Sequence, residues 1–314
     1  MNYYFAPMEG LTDSVYRKVH HTYFPGLSAY YMPFLSPTMH RTLTPREKRE
    51  LPRADSVAFR AVPQILTKIS SDFIWAAEQC LAQGYDEVNL NLGCPSGTVT
   101  AKGKGAGMLR DPDALDCFLD EIFHGSPLPI SVKTRLGFSD PEEFPKLVEI
   151  FNRYPIKELT LHPRVRKAFY SGDVDMDAFR YLLSNTSLPV CYNGSLNNLQ
   201  QIEAIRTEFP QVGSIMIGRG LIGDPGMLFP GGTTVCLLEE FMEALLEEYC
   251  IVFGSVRNAM FRLKENWRHL LCLFEDSDKL GKQLRKTTDE QQYRQIVSQI
   301  LHTLPLRQSL QPDW

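Results

Sequence analysis

Apolar residues recur along this chain in two alternating periods. Short runs such as NYYFAPM (2–8), VNLNLG (88–93) and SIMIGRG (214–220) are continuously apolar or alternate every second residue, the mark of strands. Between them, apolar positions fall three and four residues apart, the mark of helices. The pattern predicts strands at Tyr3–Met8, Leu27–Pro33, Val62–Leu66, Glu87–Leu92, Ile130–Arg135, Glu158–His162, Val190–Asn193 and Ser214–Ile217. It predicts helices over Asp72–Gln83, Pro112–Phe123, Pro141–Arg153, Asp177–Leu183 and Asn197–Glu208. Ser71, Asp111 and Asp140 suit N-caps, and Gly84 suits a helix stop. Eight strands with helices between them fit an α/β fold of the TIM (β/α)8 barrel type, which typically runs to about 250 residues. The pattern is weakest in the second strand and in the loop after it, 36–54.

The rhythm changes after Asp224-Pro225-Gly226 and Pro230-Gly231-Gly232, turn-formers dense enough to serve as a linker. Beyond them the helical period takes over, with long stretches at 236–253 and 256–275 and a third near 288–302. The expected organisation is a barrel domain, 1–233, followed by a small all-helical C-terminal domain, 234–314.

Charge sharpens that division. The whole chain carries −4, yet Ser255 to Arg307 holds ten Lys/Arg against six acids, so the remainder sums to −8. A basic tail on an acidic body suits a polyanion at one end only, or simply a solvated helical surface. No apolar run approaches the roughly 20 residues that span a bilayer, and the first residues lack the features of a signal peptide. The seven cysteines form no CxxC pair and no zinc spacing with histidine. The expectation is a cytoplasmic protein with reduced thiols, no metal and no membrane partner.

In a parallel barrel the chemistry sits at the C-terminal ends of the strands. Read in turn, those ends carry Pro7-Met8-Glu9, Gln64, Asn91 with Cys94, Lys133 with Arg135, His162 with Arg164, Asn193-Gly194-Ser195 and Gly218-Arg219-Gly220. Polar groups at one rim on nearly every strand exceed what core packing requires. The last two turns stand where barrels commonly bind phosphate; alternatively, their glycines serve tight turns at positive φ. With no GxGxxG or Walker sequence, the phosphate would belong to a mononucleotide-type cofactor. Lys133 and His162 could face its ring, where a cation stabilises charge that builds up on a reduced flavin.

Cys94 follows a glycine, precedes a proline and opens a loop, 96–107, with four glycines and two lysines, Lys102 and Lys104. That composition suggests a mobile flap over a substrate. An unperturbed thiol is mostly protonated at neutral pH, and no near neighbour offers the base a nucleophile needs, which favours a general acid.

Together these motifs resemble the tRNA-dihydrouridine synthase family. The resemblance rests on APMEG (6–10), PQI (63–65), NLNLGCPS (89–96) with GAGMLRD (105–111), VKTRLG (132–137), LHPR (161–164), YNGS (192–195) and MIGRG (216–220). It spans the barrel; in the tail only KENW (264–267) fits, and loosely. It implies a tightly bound FMN, reduced by NADPH, and reduction of the C5–C6 double bond of uridines in tRNA, with ribosomal RNA as the alternative substrate. By the same resemblance Pro7, Met8, Glu9, Gln64, Lys133, His162, Asn193, Gly194, Ser195, Gly218 and Arg219 would bind the flavin, and Cys94 would donate the proton. Asn91, Lys102, Lys104, Arg135 and Arg164 are assigned to the substrate, the tail is expected to bind RNA, and the protein is expected to be a monomer. His162-Pro163-Arg164 departs from the family's usual His-Gly-Arg, and Ser195 stands where an acid is common. Two other readings stay open: a flavin barrel acting on free pyrimidines, similar to dihydroorotate or dihydropyrimidine dehydrogenases, and a non-catalytic RNA-binding barrel. Which uridine is modified, and NADPH against NADH, are not encoded in any pattern.

Overall fold

The structure is a computed structural model that describes residues 1–312; the last two residues of the expected tail domain, 313–314, lie outside them. Contact density divides the chain into two units. One comprises Met1–Pro7, Ser28–Ser195 and Phe209–Met216; the other comprises Met8–Leu27, Leu196–Glu208 and the chain from Ile217 onward.

The first unit is the barrel. Its strands are β1 Asn2–Phe5, β2 Ala29–Tyr31, β3 Ala61–Val62, β4 Gln64–Ile65, β5 Val88–Leu92, β6 Ile130–Arg135, β7 Leu159–His162, β8 Val190–Tyr192 and β9 Ser214–Ile217. They run in the order β3-β2-β1-β9-β8-β7-β6-β5-β4, and every recorded pairing is parallel. All eight expected strands are present, one of them in two pieces. Pro63 separates β3 from β4 because proline has no N–H to give a ladder, although its carbonyl still accepts from Asn89. The two pieces are the two ends of the strand order, so the sheet closes on itself at this proline.

The strands read as near-continuous apolar runs because both faces are covered, as parallel sheets require. In β5, Val88, Leu90 and Leu92 are fully buried, and so, on the alternate positions, is Asn89. Helices Ser70–Ala82, Pro112–Gly125, Phe144–Phe151 and Met176–Asn185 follow the pattern predicted for them. Asp111 and Asp140 cap as expected, Asp140 through a reciprocal pair with Glu143. Ser71 does not cap: it lies inside its helix, which starts at Ser70 without a side-chain cap. Gly84 does stop that helix, at a φ of +86°.

In the second unit, helices Val235–Phe253, Val256–Leu270 and Glu290–Thr303 match the expected helical period. A fourth helix, Asp278–Lys286, was not expected. Its sequence DKLGKQLRK puts Leu280 and Leu284 one turn apart on a single face, a short repeat between two much longer helical stretches. The glycine within it has a packing reason: a Cβ on Gly281 would stand 2.7 Å from Leu271 Cδ1. Helix Ser14–Tyr23 joins this unit through Asp13, whose carboxylate caps Tyr16 N–H, pairs with Arg262 at 2.6 Å and accepts from Tyr249 Oη at 2.8 Å. Trp267, buried, donates to Tyr293 Oη at 3.0 Å.

Candidate functional site

The barrel unit brings together most of the residues expected at the site. Strand alternation puts Asn89 and Asn91 on one side of β5, Ser131, Lys133 and Arg135 on one side of β6, and His162 on the matching side of β7. The register sets them abreast: Gln64 beside Asn89, Asn89 beside Ser131, Asn91 beside Lys133, Arg135 beside His162.

Cys94 is half-buried on the turn that leaves β5. Asn91 makes that turn, its Oδ1 accepting from the backbone N–H of Gly93 at 3.1 Å and of Cys94 at 2.9 Å. Asn91 Nδ2 in turn donates to Gln64 Oε1 at 2.7 Å. The loop beyond is packed more tightly than its composition suggested. Gly97–Thr100 forms a helical turn, and Gly105 through Leu109 are buried. Two of the loop's glycines allow close approach, a Cβ on Gly105 lying 3.0 Å from both Cys94 Cβ and Cys94 O and one on Gly107 2.9 Å from Thr100 O, while Gly103 and Gly105 also take positive φ. Lys102 is exposed, whereas Lys104 Nζ donates to Ser36 Oγ at 3.2 Å and is pulled down in pKa, chiefly by burial.

Lys133 Nζ donates to Asn193 Oδ1 at 2.7 Å, and Asn193 Nδ2 donates to Met216 O at 2.8 Å. Burial, and after it the charge of Arg135, push the Lys133 ammonium down to about 7. No carboxylate ion-pairs with it among the described residues. Cys94 lies within electrostatic reach of both Lys133 and Arg135.

The two arginines expected on the substrate are engaged inside the protein. Arg135, 2% exposed, donates from Nε to Gly93 O at 2.8 Å and from Nη1 to Val165 O at 3.2 Å and Phe169 O at 2.7 Å. Arg164 donates from Nη2 to Gly172 O and Ser195 Oγ, and from Nη1 to His162 Nε2 at 2.9 Å. A guanidinium can only donate, so His162 must accept at Nε2 and carry its ring proton on Nδ1. The His162 ring also lies 5.9 Å from that of Tyr170.

The NGS and GRG turns need glycine for space rather than for positive φ. A Cβ on Gly194 would press on Val174 Cγ1 at 2.8 Å, and one on Gly220 would sit 2.1 Å from Leu196 O. In the first turn it is Ser195 that takes the left-handed conformation, φ 44°. Pro7 ends the first segment of the barrel unit. Met8, Glu9, Gly218 and Arg219 belong to the helical unit; there Thr12 Oγ1 accepts from Met8 N–H, Glu9 is exposed, and Gly218 precedes the short helix Arg219–Gly223.

Arg166 was missed by the sequence reading. Its Nε donates to Pro95 O at 3.0 Å and its Nη2 to Thr100 Oγ1 at 3.1 Å, so it holds the Cys94 loop from the β7 side. Two arginines in LHPRVR were visible, and only the one nearer the strand end was weighed. Asn89, Ser131 and Glu87 were missed because the helix or strand period reads them as interior positions without saying what they touch.

A buried lysine without a carboxylate partner, beside the charge of Arg135, suits an electron-rich anionic group. Among the described residues no helix is long and apolar enough to cross a membrane, and no cluster of three His, Cys, Asp or Glu residues could hold a metal.

Comparison with known proteins agrees with this reading of the barrel. Residues 4–311 match the family model described as dihydrouridine synthase. The chain is 26% identical over 256 residues to tRNA-dihydrouridine synthase B of Pasteurella multocida, covering 81% of this chain and 73% of that one. It is 29% identical over 225 residues to the probable tRNA-dihydrouridine synthase 1 of Synechocystis, covering 70% and 61% respectively. Among solved structures the fold resembles histamine dehydrogenase from Rhizobium (TM-score 0.55, 11% identity, 85% of this chain and 49% of that one). It also resembles an old yellow enzyme homologue from Zymomonas mobilis (TM-score 0.54, 10% identity, 71% and 86%). The match over almost the whole length shows that the chain belongs to the dihydrouridine synthase family.

Proposed function

We propose that this chain is a tRNA-dihydrouridine synthase that reduces the C5–C6 double bond of uridine, with tightly bound FMN and with NADPH as the reductant. The observation that carries the proposal is the thiol of Cys94, on a turn fixed by Asn91 and within electrostatic reach of Lys133 and Arg135. Lys133, His162 and Asn193 would hold the flavin. When bound, FMN supplies the hydride that adds to carbon 6 of the uracil ring.

The protein's own part is the proton. Addition at carbon 6 leaves negative charge on carbon 5 and the neighbouring carbonyl, and an acid must protonate carbon 5. Cys94 Sγ–H gives that proton and becomes a thiolate. The positive charge of Arg135, and of Lys133 when protonated, stabilises the thiolate until solvent returns the proton. Arg135 and Arg164 act through the loops they hold: Arg135 fixes Gly93 O beside the thiol, and Arg164 fixes the His162 tautomer. Among the residues assigned to substrate, exposed Lys102 would meet a phosphate. The uridine must leave its stack, at a cost of a few kcal/mol, which backbone contacts from the basic helical tail would offset.

The test is mass spectrometry of dihydrouridine, position by position, in tRNA and ribosomal RNA from cells lacking the gene. Those cells are complemented with wild type or with Cys94→Ala. One position should lose its dihydrouridine, and wild type alone should restore it. No change at any position would mean that a paralogue covers the site or that the substrate is a free pyrimidine, and the tRNA reading would lose its lead.

A further inference from the structure

The interior of β4, β5 and β6 contains an unbroken run of hydrogen bonds whose every donor points the same way. It starts at the Cys94 turn, where the N–H groups of Gly93 and Cys94 can only donate and Asn91 Oδ1 must accept. That fixes the amide of Asn91, whose Nδ2 donates to Gln64 Oε1 at 2.7 Å. Gln64 Nε2 then donates to Asn89 Oδ1 at 2.8 Å, and Asn89 Nδ2 to Ser131 Oγ at 2.9 Å. Ser131 completes the run by donating its hydroxyl proton to Glu87 Oε1 at 2.6 Å. The other oxygen of Glu87 takes Arg60 Nη2 at 2.9 Å and Lys157 Nζ at 2.6 Å.

Both ends are chemically unambiguous: backbone amides at one, a carboxylate in two ion pairs at the other. No amide between them can flip without setting donor against donor. Gln64, Asn89 and Ser131 are at most 1% exposed, so no water competes for these bonds. A one-directional chain of this kind strengthens each of its members by polarisation.

We propose that Glu87, Ser131 and Asn89 are positioning residues for Cys94. They act through Gln64 and Asn91 to keep the Gly93 and Cys94 amides turned inward, and so set the direction of the thiol. The proposal rests on the reading of Cys94 as the proton donor.

The test uses the full-length flavin-loaded protein and three variants. Ser131→Ala removes the hydroxyl that joins Asn89 to Glu87; Ser131→Thr keeps a hydroxyl; Thr160→Val changes a buried hydroxyl on the neighbouring strand that lies off the run. Two quantities are read: amide hydrogen exchange of the peptide carrying Gly93 and Cys94, and single-turnover dihydrouridine formation against tRNA concentration. In Ser131→Ala, exchange at the turn should rise about tenfold, the equivalent of one buried hydrogen bond. The rate at saturating tRNA should fall by a similar factor while the half-saturating tRNA concentration stays unchanged. Ser131→Thr should restore both, and Thr160→Val should alter neither. Unchanged exchange in a folded Ser131→Ala would overturn the proposal, as would faster exchange with an unchanged rate. A wild type that makes no dihydrouridine at all would instead defeat the functional reading; the exchange comparison would still decide whether the run holds the turn.

Discussion

Strands β8, β9, β1, β2 and β3 line their part of the barrel interior with Cys191, Met216, Ala6, Ala29, Tyr31 and Val62, one contiguous apolar cluster. Strands β4 to β7 line theirs with Gln64, Asn89, Asn91 and Ser131, joined by hydrogen bonds across strands, and with Lys133 and His162. The two walls hold the barrel by different physics. Apolar side chains are stabilised by their removal from water and tolerate small shifts, because dispersion has no direction. Amides and hydroxyls gain little net energy, about 0.5–1.5 kcal/mol per bond, but each bond fixes an orientation. The apolar wall therefore supplies stability. The polar wall, which carries Cys94 and Lys133, supplies geometry.

Met216→Ala breaks the comparison where its effect should be largest. Met216 is fully buried in the apolar cluster, and its loss should cost about 2–5 kcal/mol, transfer and cavity together. Urea unfolding should show a lower midpoint at an unchanged slope. Amide exchange at Gly93 and Cys94, measured under native conditions, should not change, because no bond of the polar wall uses that side chain. A faster-exchanging Cys94 turn in this variant would mean that the two walls are not separate.

The division of the interior is also where sequence reasoning reaches its limit. Period-two apolar runs located all eight strands, and the expected barrel followed from their number and spacing. Strand ends pointed to Asn91, Cys94, Lys133 and His162, since a rim position and a polar residue are both visible in one dimension. Which strand's amide meets which is not visible. Gln64 and Asn91 both stood out, yet their hydrogen bond spans 27 residues of sequence. The same holds for Arg135 and Arg164: they were assigned to the substrate, whereas backbone carbonyls brought close by folding engage them. The helix at Asp278–Lys286 went unseen for a different reason: its two leucines, one turn apart, make a single short repeat between two much longer helical stretches. The glycines of the NGS and GRG turns were legible as special, but φ was the wrong cause. A carbonyl or a methyl close by excludes the Cβ.

Lys133 sharpens the comparison, because it is the one place where the polar wall holds a lysine without a carboxylate. In the unfolded chain a lysine titrates near about 10.4. Folded, burial and the Arg135 charge bring Lys133 down to about 7. Between those values the unfolded chain binds a proton that the folded chain has released. Stability from this group therefore rises with pH across that window and is lost as pH falls through about 7. One proton sets the limit at about 1.4 kcal/mol per pH unit, and partial exposure of the side chain lowers it. Cys80, pushed up to about 12 by burial, titrates in the opposite sense above the ordinary thiol range. The measurement is consequently the difference between wild type and Lys133→Met in the flavin-free protein, by urea unfolding from pH 6.5 to pH 9.5. That difference should change steadily with pH in favour of wild type at the alkaline end. A flat difference would show that the ammonium is solvated and titrates as an ordinary lysine.

Arg166→Lys should have the smallest effect, and it separates the inner hold on Cys94 from the outer one. The polar run grips the turn through Gly93 and Cys94 N–H; Arg166 grips the next stretch through Pro95 O and Thr100 Oγ1. Its guanidinium also lies 5.2 Å from the Phe138 ring and 4.9 Å from the Phe169 ring. Lysine keeps the charge but cannot reach both acceptors from one planar fork or stack in the same way. One of the two bonds should be lost, costing less than about 1 kcal/mol because the site is only partly shielded from water. Exchange should therefore rise a few-fold across Ser96–Thr100 and stay unchanged at Gly93 and Cys94, which the inner run still holds. Alkylation of Cys94 by a small neutral reagent, followed on its own peptide, should likewise stay close to the wild-type rate. A loss of protection at Gly93 and Cys94 in Arg166→Lys would mean that the loop holds the turn rather than the reverse. Directional order in the polar wall would then depend on a contact outside the barrel.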